Sequence, residues 1–144
     1  MRVLYSVSAI IDYGRGIDEA IRAGCYDWVA EGINARHFST NQSGRRNVTI
    51  GVIVFGEVLT TGEVLESLSR HGYRPAELLE LLALSEEKPR LQLEAPLIAL
   101  GSSWANWGLI FAPYLGGERG GRRLLLHSTM DDWADSTRFV AVRK

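Results

Sequence analysis

Near the start of the chain, apolar Val3, Tyr5 and Val7 are interleaved with Ser6 and Ser8. A period of two predicts a strand, because successive strand side chains point to opposite faces. The turn Tyr13-Gly14-Arg15-Gly16 follows, and Ile17, Ala20 and Ile21 then recur at helical spacing, with Gly24 as the stop. Residues 34–47 are polar and predict a loop. Between Val48 and Phe55 both faces of an extended segment are apolar, as a central strand buried on two sides requires.

Thr60-Thr61-Gly62-Glu63 then provides a capping box ahead of Val64, Leu65 and Leu68, and Gly72 ends that helix. Pro75 suits the first turn of a second helix, whose broad stripe of Leu78, Leu79, Leu81, Leu82 and Leu84 runs to Pro89. Beyond Leu97 the pattern changes to short apolar runs at 97–100, 109–115, 123–127 and 138–142, separated by glycines and polar turns. Four short antiparallel strands are predicted there. The expectation is a single α+β domain over 1–144: an N-terminal strand-helix-loop extension over 1–47, then a core over 48–144. In that core one strand and two helices precede a run of short antiparallel strands.

Composition adds exclusions. The chain has 144 residues, 46% of them hydrophobic and 23% charged, which is ordinary globular usage and allows one hydrophobic core. Lys and Arg number 16 against 17 Asp and Glu, so no overall field attracts nucleic acid or an anionic membrane. The apolar stretch before Asp12 is too short to span a bilayer and lacks a signal-peptide cleavage pattern. One cysteine, Cys25, excludes an intrachain disulfide and a cysteine-rich zinc site, and a cytoplasmic location is expected. At a helix end beside Gly24 and near Trp28, that thiol reads as buried and structural.

Three stretches carry a family likeness: Gly72-Tyr73-Arg74-Pro75-Ala76 with Glu77-Leu78-Leu79, then Gly101-Ser102-Ser103-Trp104, then Arg138-Phe139-Val140-Ala141-Val142-Arg143. In order and spacing they resemble C-type-lectin-like folds of the formylglycine-generating-enzyme type, over roughly residues 48–144. The resemblance implies a scaffold that presents variable surface residues, a use made of it by the variable proteins of diversity-generating retroelements. Val140 and Ala141 stand where catalytic relatives carry an active cysteine, and the calcium and sugar motifs of animal lectins are missing. No cofactor and no catalytic residue are therefore implied.

The expected function is non-catalytic binding of an unidentified protein or small ligand. Trp104, Trp107, Tyr114 and Trp133 supply aromatic contact area, with Asn106, Arg119, His127 and Asp132 as polar partners. Each tryptophan has an alternative role as core filler. A second reading is a small metal-dependent enzyme using His127 with Asp131, Asp132 and Asp135, although their spacing matches no known ligand motif. A third is a structural subunit, for instance of a mobile element, that assembles with its own copies. Arg45-Arg46 and the glycine-rich stretch around Arg119 read as solvated turns rather than phosphate sites, because no predicted helix follows them. His71 reads as a charge partner for its helix C-terminus.

Overall fold

The computed structural model describes every residue from Met1 to Lys144. Nine strands join one mixed sheet and only three short helices accompany them. This corrects the expected layout of one strand and two helices followed by antiparallel strands: the fold is dominated by its sheet. The strands are β1 (Arg2–Asp12), β2 (Trp28–Val29), β3 (Arg45–Val54), β4 (Tyr73–Pro75), β5 (Leu97–Ile98), β6 (Trp104–Asn106), β7 (Leu109–Gly116), β8 (Arg123–Ser128) and β9 (Arg138–Arg143). Across the sheet they run β1-β3-β9-β5-β7-β8-β2, with β4 also on β9 and β6 also on β7. The helices are α1 (Ile17–Ala23), α2 (Thr61–Arg70) and α3 (Leu78–Glu87).

Several particulars depart from the sequence reading for identifiable reasons. Residues 1–47 are no appendage, because β1 pairs with β3 from Arg2↔Val54 to Asp12↔Arg45 and so forms half of the longest ribbon in the sheet. That pairing also draws Arg45 to Asn47 out of the predicted loop and into β3. The strands are not all antiparallel: β5 lies parallel to β9, and β2 parallel to β8. Pro75 lies in β4 rather than in the first turn of α3. Having no N–H, it sits at the end of a short edge pairing, and the helix begins two residues later with Glu77 as its N-cap.

The sheet separates two packed faces. On one, Ile50, Val52, Val140 and Val142 meet the leucines of α3 and the Ile17 and Ala20 of α1; on the other, Ile53, Phe139 and Ala141 meet Val64 and Leu68 of α2, Tyr73 and Trp133. β9 contributes to both, and Phe139 to Val142 are all buried. Local signals read from sequence account for α2: Thr60 Oγ1 accepts from the Glu63 amide at 3.2 Å, and the Glu63 carboxylate accepts from the Thr60 amide at 2.9 Å. At its other end the His71 ring bonds the Ser67 carbonyl at 2.7 Å.

The start of α3 is held by buried charge. Glu80, fully buried, accepts two hydrogen bonds from the Arg74 guanidinium, one from the Tyr13 hydroxyl and one from the Glu77 amide. Glu77, also buried, accepts from Thr40 Oγ1 at 2.6 Å, from the Asn41 amide at 3.2 Å and from Gln42 Nε2 at 3.4 Å. Ser102 completes the set by accepting from the Leu78 amide at 2.7 Å. One helix start thereby joins β1, the 40–42 loop, β4 and the segment before β6.

Removing one partner of a buried ion pair leaves the other desolvated and unpaired. Arg74→Ala is accordingly expected to lower unfolding free energy by about 3 kcal/mol in urea titration, well beyond an exposed pair. A loss like that of a surface substitution would refute this role. Burial, followed by the adjoining Glu80 carboxylate, pushes the Tyr13 phenol from 10.0 to about 12. The folded pKa is raised, so this contribution is full below pH 10 and is lost as pH rises toward 12. Spectrophotometric titration should show a tyrosine ionising near pH 12 that Tyr13→Phe removes, while the late-ionising Tyr26 and Tyr114 remain.

Candidate functional site

Antiparallel pairing of β7 with β8 puts Tyr114 opposite Leu125 and Ala112 opposite His127, so Tyr114 and His127 become near neighbours. After β8 the chain turns through Thr129 to Asp132, and a backbone bridge between Leu59 and Trp133 then ties it to the segment before α2. Trp133 is consequently buried, and its Nε1 donates to Thr61 Oγ1 at 2.8 Å. Its ring packs edge-on against Phe139, with centroids 5.5 Å apart. The His127 ring lies 4.9 Å from Trp133 and 6.0 Å from Tyr114, centroid to centroid.

These rings adjoin a cavity of about 570 Å3. Ile98, Tyr114 and Trp133 provide apolar lining, while His127, Asp132, Ser136, Thr137 and Arg138 provide polar groups. The size and the mixture fit a small-molecule site, where apolar walls give contact and a few polar groups give orientation. His127 Nδ1 lies 2.7 Å from the Ser128 carbonyl. A carbonyl only accepts, so Nδ1 carries the proton and Nε2 is the acceptor of the neutral ring. Burial, followed by the charge of Glu118, pushes the Tyr114 phenol above its ordinary value. It remains a neutral hydroxyl at physiological pH.

Arg138 connects this cavity to another. Its guanidinium bonds Glu94 at 3.1 Å, and Glu94 also accepts from the Tyr5 hydroxyl at 2.9 Å. Tyr5 and Arg138 together hold the Glu94 carboxyl below its usual range. Tyr5 and Glu94 line a cavity of about 550 Å3 between β1 and the segment after α3, with Lys88 and Arg90. That space has one aromatic ring rather than a group of them, so it offers a flat ligand less contact.

The other residues singled out from sequence lie elsewhere. Trp104 stacks on His37 with centroids 4.2 Å apart and planes 12° apart. It covers Gly32 so closely that a Cβ there would lie 2.3 Å from the indole, hence the glycine. Its role is to fasten the 30s loop to β6. Asn106 ends β6, and Trp107 is 92% exposed at the tip of the β6–β7 hairpin. Trp107 and Gly108 have φ of 55° and 74°, the pair of positive values that a tight hairpin turn of type I′ requires. Arg119, also at positive φ, belongs to the turn between β7 and β8.

His127 and the aspartates at 131, 132 and 135 form no metal-holding group; indeed no set of three or more His, Cys, Asp or Glu side chains gathers anywhere in the structure. Cys25 is exposed, at φ 50° just past α1, which corrects its expected burial. The chain must reverse immediately after Gly24, and this turns the thiol outward. Sequence reasoning missed Ser136, Thr137 and the cavity role of Arg138, because their shared wall exists only once β9 sits beside β5. No helix is long and apolar enough to cross a membrane. Compared with protein-family models, curated proteins and solved structures, the chain matches none of them.

Proposed function

We propose that this protein is a non-catalytic ligand-binding domain whose cavity beside Trp133 takes a small polar molecule with one flat face. The supporting observation is the convergence of Tyr114, His127, Asp132 and Trp133, each a candidate from sequence, on one cavity with Arg138. Aromatic faces supply contact area at low entropic cost. Asp132 accepts, Ser136 and Thr137 donate or accept, and Arg138 donates. A ring bearing hydroxyl or amide substituents satisfies both requirements. His127 Nδ1 donates to a main-chain carbonyl, which fixes the ring and leaves Nε2 to accept from a ligand hydroxyl or amide.

Ligand-observed NMR with a set of monosaccharides and planar heterocycles tests the reading. Binding by some probes is expected, and His127→Ala or Tyr114→Ala should weaken it at least roughly tenfold, as truncation of a contact aromatic does. Far-UV circular dichroism should be unchanged for both. Probes that bind these variants as well as the native chain, or a set in which none binds, would refute the site. Trp133→Ala should behave differently, because it empties a core position: a stability loss of about 3–5 kcal/mol is expected by denaturant unfolding.

A further inference from the structure

β1 is an edge strand of eleven residues and pairs on one side only, with β3. No backbone hydrogen bond outside that ladder involves residues 2–11. The outer row of amides and carbonyls is therefore open for a further strand. Natural edges are usually blunted by lysine, proline or shortness, yet no charge and no proline lies between Arg2 and Asp12. Apolar surface is open along it as well: Val3 and Tyr5 are each 39% exposed and Ile10 is 67% exposed. The far end of the sheet differs, since β2 there has two residues.

The order of residues along β1 identifies the occupant. Turned antiparallel to itself about Val7, the strand places Ser6 opposite Ser8, Tyr5 opposite Ala9 and Leu4 opposite Ile10. Polar residues meet polar ones and apolar residues meet apolar ones. The bulge between Val3 and Tyr5 takes up one residue, so that Val3 and Leu4 together face Ile10. Beyond it Arg2 of one copy faces Ile11 of the other, one residue from Asp12, and the two-fold axis repeats this arrangement. Arg2 and Asp12 are the only charged residues in the strand, and they have opposite sign.

We propose that two copies of this chain associate through antiparallel pairing of their β1 strands about a two-fold axis at Val7, making one continuous eighteen-stranded sheet from two nine-stranded ones. A two-fold contact of this kind uses the same surface of both copies, which is what a self-complementary strand supplies. No residue lining the cavity beside Trp133 belongs to β1, although its Arg138 reaches Tyr5 of β1 through Glu94.

Sedimentation velocity of the full chain over a concentration series tests it, with a monomer–dimer equilibrium expected. Ser6→Lys with Ser8→Lys sets like charges opposite each other twice and should raise the dissociation constant roughly tenfold or more. Ser6→Lys with Ser8→Glu sets opposite charges in the same two places and should restore the dimer. Should the lysine pair disturb folding, Val7→Cys in a Cys25→Ser background provides a second reading: it should cross-link to its own copy under mild oxidation, and Ser103→Cys should not. A native chain that stays monomeric, a lysine variant that stays dimeric, a charge-paired variant that does not recover, or no cross-link at Val7 would overturn the proposal. A monomer would leave the edge open to a strand from a different protein.

Discussion

The start of α3 is the constraint on which the rest of the structure depends. Glu80 is a fully buried carboxylate, and such a group is tolerable only with its acceptor positions filled. Arg74 from β4, Tyr13 from the end of β1 and the Glu77 amide fill them. Glu77 imposes the same condition on the 40–42 loop. Distant parts of the chain must therefore arrive together before the helix start is satisfied, and the arrangement rejects partly assembled alternatives.

The three stretches 72–79, 101–104 and 138–143 meet around the same place. β4 pairs with β9, the Ala76 amide donates to the Val140 carbonyl at 3.0 Å, and the Gly101 amide donates to the Ala76 carbonyl at 2.8 Å. Ser102 then caps α3. Gly101 lies so close that a Cβ would sit 2.5 Å from the Pro75 carbonyl oxygen, which explains a glycine there without reference to ligand. In this chain those residues are architectural. They hold β9 between β3 and β5, and β9 in turn positions Arg138 at the cavity and Phe139 behind its Trp133 wall.

Binding and architecture are divided among the aromatic residues by their surroundings. Trp104 is held over Gly32 and fastens the 30s loop, and Trp133, held by its hydrogen bond to Thr61, serves as a fixed wall of the cavity. Trp107 is held in the open by a turn whose backbone sign is set by pairing of β6 with β7. His127 and Tyr114 fall between these extremes and retain faces toward the cavity. Their sequence neighbours carry no sign of this division: Trp133 is buried although flanked by Asp131, Asp132 and Asp135, while Trp107 beside Asn106 is exposed.

What the sequence by itself determined is the set of features made within a few residues. The capping box of α2, the leucine stripe of α3, the alternation of β1 and the glycine-rich turn between β7 and β8 all arise from neighbours along the chain. Only the tertiary structure decided the strand order, the parallel pairings of β2 and β5, the burial of Glu80 and Trp133, and the meeting of His127 with Arg138 at one cavity. The reason is physical: a two-residue strand has no periodicity to read, and a buried carboxylate is identified only by partners remote in sequence. The same distinction explains Cys25, whose exposure follows from the direction of the chain after α1 and not from the usual burial of its residue type.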